Sequence, residues 1–196
     1  MKRAKWIMLL AAFAMPLFFA GCSDDDDDNG NGMSNHFTYD GETYSLSHGF
    51  TLFWGQWGGD GYNWDVYLMS DGIQFDDDLG DFTGNGHGIF FEFYSPEEEY
   101  LATGTYVFDE EDSGDPYTFY WADFIIDYNV ETESGTLIDI IGGVVEVERS
   151  GATYSITIQV TAEDNKPVTG YFSGPLPALD WEDFWKSEGD KGLRGF

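Results

Sequence analysis

Trp54, Trp57, Tyr62 and Trp64 surround the glycine-rich stretch from Gly55 to Gly61, an unusual density of large rings in one short segment. Aromatic faces stack on the apolar C–H faces of sugar rings, so these side chains, if exposed, would form a glycan-binding platform. Placed on strands instead, Trp54 and Trp64 would be core residues and Trp57 would cover the end of a sheet. The acidic loops offer a second chemistry. Asp76, Asp77, Asp78 and Asp81, and likewise Glu110, Glu111, Asp112 and Asp115, cluster between apolar runs. Asp76, Asp78 and Asp81 carry the oxygen donors of a candidate Ca2+ site with no neighbouring cation to compete, although a solvated loop has the same composition. No other cofactor is expected.

Reaction chemistry has little to stand on. His36, His48 and His87 are isolated from one another, there is no His-Glu-x-x-His pair and no phosphate-cradling loop with a lysine, and Gly170-Tyr-Phe-Ser173-Gly174 misses the spacing of a nucleophile elbow. Carboxylate pairs that hydrolyse glycosides are recognised by their separation in space, so the abundance of acids identifies none of them. The chain reads as a non-enzyme, with a glycoside-active enzyme as a remote alternative.

The elements that must position these residues are strands. Phe37-Thr-Tyr39 and Glu42-Thr-Tyr44 flank Asp40-Gly41, the dipeptide favoured in type I′ hairpins because both positions tolerate positive φ. Period-two alternation then places Tyr44, Leu46, Phe50 and Leu52 on one face, and does the same for Trp64, Val66 and Leu68 and for Ile89, Phe91 and Phe93. It is cleanest near the C-terminus, where Val145 and Val147 alternate with glutamates and Tyr154, Ile156, Ile158 and Val160 alternate with polar residues. Turns at Ser150-Gly151 and at Glu163 to Lys166 make the last three strands an antiparallel meander, and Gly142-Gly143 marks a bulge, a bend or a break in the first of them. The expected fold is all-β: one antiparallel β-sandwich or a lipocalin-like up-and-down barrel of about eight to ten strands. Beyond it, Asp180 as N-cap, the Leu179–Phe184 staple and the shared face of Trp181, Phe184 and Trp185 predict a short C-terminal helix.

The first residues carry a different kind of information. Lys2, Arg3 and Lys5 precede an apolar stretch from Trp6 to Ala20 that is short for a bilayer span, and small residues follow, ending at Cys22. Phe19-Ala-Gly-Cys22 resembles the lipobox of bacterial lipoproteins. That resemblance implies cleavage before Cys22 and diacylation of its thiol, and two acyl chains give stable anchoring where one does not. Ser23 and the run Asp24 to Asp28, then Asn29-Gly-Asn-Gly32, have no apolar content and read as a solvated spacer. An acidic run directly after the lipidated cysteine also resembles the surface-export signal of Bacteroidetes-type lipoproteins, which implies display on the outer face of the outer membrane. The expected organisation is a signal peptide over 1–21, a lipidated cysteine and acidic linker over 22–35, an all-β domain over 36–178 and a helical or irregular tail over 179–196.

Charge narrows the partners. The chain has 8 Lys and Arg against 37 Asp and Glu, and loss of the leader leaves five basic residues and a net charge of −32. Nucleic acid is excluded, because phosphate binding needs clustered Lys or Arg. No basic residue occurs from Trp6 to Glu148, so the carboxylates of that span have no local cation. Cys22 is the only cysteine, so no intrachain disulfide forms and the apolar core alone must hold the domain. The strand and turn series Phe37 to Leu46, Phe91 to Ser95, Leu101 to Tyr106, Gly151 to Ile156 and Val168 to Gly174 is similar to uncharacterised Bacteroidetes surface lipoproteins. The resemblance implies an architecture and carries over no site residue. The partners expected are the membrane, through the anchor, and a glycan or an envelope protein.

Overall fold

The structure, a computed structural model, describes residues 34–56 and 58–179. Its strands are β1 His36–Tyr39, β2 Glu42–Ser45, β3 His48–Gln56, β4 Tyr62–Met69, β5 Ile73–Asp76, β6 Asp81–Ser95, β7 Gly104–Phe108, β8 Thr118–Asn129, β9 Ser134–Ser150, β10 Thr153–Ala162 and β11 Pro167–Pro175. The described region is all-β, with no helix, and its strands form one mixed sheet in the order β2-β1-β11-β10-β9-β7-β8-β6-β4-β3, to which β5 is added as a partner of β6. All neighbours are antiparallel except β7 and β8, which run parallel. The predicted C-terminal helix lies outside the described residues.

Local signals act as the sequence requires. Asp40 and Gly41 both take positive φ, 51° and 85°, closing the β1–β2 hairpin with Tyr39 opposite Glu42. Gly151, at φ 64°, and Asn165, at φ 65°, make the turns of the β9-β10-β11 meander. The Gly142-Gly143 pair marks a bulge rather than a break. Thr161 pairs with Gly142 and Ala162 with Ile140, so Ile141 is the extra residue of a continuous β9. A side chain at Gly143 would lie 2.4 Å from the Gln159 carbonyl, which is why glycine stands there.

The sheet rolls on itself in a barrel-like way. Phe37 and Tyr39 of β1 reach across to Phe124 of β8, with ring centroids 5.7 and 4.8 Å apart. At the far end of the strand order, the Thr51 N–H of β3 donates to the Pro177 carbonyl at 3.0 Å, and the Leu179 N–H donates to the Thr51 carbonyl at 2.7 Å. The segment after β11 thus covers the free edge of β3. The enclosed inner face holds the main core, including Trp64, Val66, Leu68, Ile89, Phe91, Phe93, Val145, Val147, Ile156 and Ile158.

A second apolar cluster lies on the other face of β3, β4, β6 and β8. Leu52, Tyr67, Met69, Phe90 and Ile125 are covered there by Ile73 and Phe82 of the β5–β6 hairpin. This divides one predicted set. Leu46 joins the inner core with Tyr44 packed against it, whereas Leu52 and Phe50 belong to the outer cluster. The alternation does not continue because β2 ends at Ser45 and residues 46 and 47 belong to no strand before β3 begins.

Candidate functional site

The aromatic segment is split between the two faces of the sheet. Phe53 pairs with Trp64 and Gly55 with Asn63, so Trp54 is the extra residue of a bulge in β3 and joins the outer cluster. Trp64 is 7 % exposed, packs in the inner core 4.8 Å from Phe53 and donates its indole N–H to the Glu97 carbonyl at 3.3 Å. Half-buried Tyr62 lies on the same inner side, 6.4 Å from Phe53. Trp54 therefore lies on the opposite face of the sheet from Tyr62 and Trp64. Period two along β4 sends Tyr62 and Trp64 inward, and the bulge sends Trp54 the other way. Trp57 lies outside the described residues.

The glycines of this segment serve close packing. A Cβ at Gly59 would lie 2.4 Å, and one at Gly61 2.7 Å, from the Gly114 carbonyl oxygen, while the Gly61 N–H donates to that oxygen at 2.8 Å. The 58–61 stretch is laid against the loop after β7 by its backbone.

The acidic loop after β5 is occupied with its own turn. Asp76 Oδ1 accepts the N–H groups of Asp78 at 2.9 Å and Leu79 at 3.0 Å, and Asp81 Oδ1 accepts that of Phe82 at 2.7 Å. Asp109 does the same in the second acidic loop, accepting from Glu111 and Ser113. Among the described residues no three His, Cys, Asp or Glu side chains come together in a way that could hold a metal ion. Cys22 lies outside the described residues. His36 and His87, like His48, sit on strands; His48 Nε2 lies 2.7 Å from the Ile73 carbonyl oxygen.

What sequence reasoning passed over is the outer face of β4, β6 and β8. Asn63, Asp65 and Tyr67 alternate with the inward Trp64 and Val66, and the ladder sets Asn63 opposite Tyr94, Asp65 opposite Glu92 and Tyr67 opposite Phe90. Phe90 pairs in turn with Asp123 of β8, and Asp123 with Asp139 of β9. Asp65 is 5 % exposed and Asp123 1 %. Trp54 flanks this row from β3 and half-buried Trp121 from β8, the Trp121 ring standing edge-on to Phe90 at 6.1 Å.

The electrostatics of the row are unusual. Asp65 Oδ2 accepts the Trp54 indole N–H at 2.7 Å and the Tyr67 hydroxyl at 3.2 Å, yet Asp65 Oδ1, both carboxyl oxygens of Asp123 and Asn63 Oδ1 are buried without a partner. Leaving such a group unsatisfied costs about 1–3 kcal/mol. Burial pushes the Asp65 carboxyl up to about 8; the charge of Glu92 adds to this, and the bonds from Trp54 and Tyr67 oppose it. Burial, and then the charge of Asp139, also pushes Asp123 up to about 8. The Tyr94 hydroxyl lies 2.7 Å from both Glu92 Oε1 and Asp112 Oδ1. A phenol has one proton, which the two oxygens share. Burial first, then these bonds, raise the Tyr94 hydroxyl above the ordinary phenol range. The face as a whole is an excess of oxygen acceptors between aromatic walls, able to hold protons or donor groups.

A signal for it stands in the sequence. Asn63 and Asp65 interrupt the apolar run Tyr62 to Met69, and Asp123 interrupts Phe119 to Ile126. Compared with known protein families, with curated proteins and with solved structures, the chain finds no match in any of the three.

Proposed function

We propose that this chain is a lipid-anchored, non-catalytic module displayed on the outer face of a bacterial outer membrane, where it engages an envelope or surface partner. The observation that carries this reading is the placement of Cys22, the sole cysteine, between a basic-then-apolar leader and a run of five aspartates. The start of β1 at His36, beyond the spacer composition that ends at Gly32, fits this division. The domain also folds without any need for a second cysteine, leaving the thiol of Cys22 for acylation.

Labelling of cells with a radioactive fatty acid, followed by detergent partitioning, tests the reading. The wild-type chain is expected to carry label and enter the detergent phase, and Cys22→Ala to lose both. Protease added to intact cells should remove the domain. A label that survives Cys22→Ala, or a domain protected until the outer membrane is broken, would overturn the anchor or the display respectively. Glycan capture by the Trp54 to Trp64 segment is the second reading; Trp54 is half-buried on the outer face, and Tyr62 and Trp64 pack on the inner one.

A further inference from the structure

We propose that residues 180–196 of this chain fold back over the outer face of β3, β4, β6 and β8, with Trp181, Phe184 and Trp185 set against the half-buried rings of Phe50, Trp54, Phe75 and Trp121. This assigns the outer face to the chain's own tail, and it does not depend on the anchoring role.

The place where the described chain ends carries the argument. After β11 the backbone runs along the edge of β3 and parallel to it, with Ala178 bridged to Thr51 and the Leu179 N–H donating to the Thr51 carbonyl at 2.7 Å. Thr51 pairs with Val66 of the inner core, so its neighbours Phe50 and Leu52 point outward. Leu179, one residue beyond Ala178, packs with them in the outer cluster. The chain is thus already on the outer face at residue 179.

The sequence continues that contact. In the helix predicted from Asp180, Leu179 precedes the N-cap and Phe184 is the fourth helical residue, the two positions that pack together as a staple. A staple built on a Leu179 held in the outer cluster brings Phe184 to the same cluster, and Trp181 and Trp185 share its side of the helix. Reach is sufficient. From β3 across β4 and β6 to β8 is three strand spacings, roughly 15 Å, which a helix covers in about ten residues at 1.5 Å each.

Charge adds a further link. Of the five basic residues beyond the leader, Arg149 lies over the Tyr100 ring at 4.3 Å and Lys166 pairs with Asp40 and Asp164. The other three, Lys186, Lys191 and Arg194, fall in this tail, interspersed with Glu188 and Asp190. They follow the aromatic block, and the far side of the outer face offers half-buried Glu92 and exposed Asp112 and Asp139. Asp180, Glu182 and Asp183 stand at the start of the predicted helix, where its N-terminus favours acids.

Met33–Phe196 forms a compact unit of its own, and the indole N–H signals of its six tryptophans report the contact by nuclear magnetic resonance. In the double variant Trp181→Ala, Trp185→Ala two signals should vanish and those of Trp54 and Trp121 should shift, while that of Trp64, in the inner core, stays in place. Trp121 decides the matter, because β8 lies three strands from the Thr51 edge. Should that variant melt early, the unaltered unit gives the same answer through nuclear Overhauser contacts, expected between the tail rings and the Trp54 or Trp121 ring. An unmoved Trp121 signal in a folded double variant, or contacts from the tail rings to another face of the sheet, would overturn the proposal. A Trp121 contact that is lost on dilution as a dimer dissociates would overturn it in favour of a second copy's tail, and tail rings that enter phosphatidylglycerol vesicles instead of meeting Trp121 would overturn it in favour of the membrane.

Discussion

The β9-β10-β11 meander and the β3-β4-β6-β8 quarter of the same sheet are built on opposite terms. Along β10, Tyr154, Ile156, Ile158 and Val160 are buried while Thr153 before them and Gln159 between the last two face water, so one side of the sheet is dry and the other wet. Along β4, every residue after Tyr62 is buried, because the outer cluster covers the side that the meander leaves open. In the first region a polar residue on the outer face is solvated and cheap. In the second it must find a partner, hold a proton or wait for a ligand, and Asp65 and Asp123 are the residues caught in that position.

The contrast is sharpest in pH. Between the ordinary carboxylate range and about 8 the folded protein holds protons on Asp65 and Asp123 that the unfolded chain has released. The unfolded state binds fewer protons there, so stability must fall as pH rises through that window and level off above about 8. At about 1.4 kcal/mol per unit of displacement per group, the loss amounts to several kcal/mol. Urea denaturation at pH 5, 6.5 and 8 measures it, and the double variant Asp65→Asn, Asp123→Asn should be nearly flat. An equal slope in the double variant would place the effect elsewhere among the acids. Next in size is Phe91→Ala, which empties a site packed between Phe93 at 5.2 Å and Phe119 at 5.6 Å beneath the doubly covered quarter; about 3–5 kcal/mol should be lost.

Ile156→Ala tests the meander, with an expected loss of about 2–5 kcal/mol, while its neighbour Thr157→Ala on the wetter face should cost less than about 0.5 kcal/mol. Equal losses for the two would dissolve the distinction between the faces. Smallest of all is Lys166→Ala. Its contacts with Asp40 at 2.9 Å and Asp164 at 3.1 Å are both at the surface, and the denaturation midpoint should not move measurably.

Legibility in the sequence followed the same division. The meander could be read residue by residue, because water on one face enforces alternation, and the Asp40-Gly41 hairpin could be read because only a few residues accept positive φ. The outer cluster could not, since a strand covered on both faces shows a continuous apolar run with no period to reveal which neighbour covers it. Bulges hid more. Trp54 in β3 changes face through one extra residue, and β8 carries extra residues between Phe119 and Ala122 and again at Asp127, where φ is 50°. A bulge leaves only a faint trace in composition, so the sequence left open which face Trp54 shares, and the structure sets it opposite Tyr62 and Trp64. The buried acids were visible as interruptions of apolar runs, but their meaning depended on knowing that both faces are covered.

The pairing of β1 with β11 has a consequence for how the molecule comes into being. His36 meets Tyr171, and Tyr39 meets Val168, from opposite ends of the domain, and the segment after β11 must then reach back to Thr51. Strands that join the extremes of a chain give a high contact order, and such topologies fold on a scale of milliseconds to seconds rather than microseconds. The first hairpin can form early but has nothing to dock on until the last strand has emerged. Closure of the barrel-like sheet therefore waits until both β1 and β11 are available to pair.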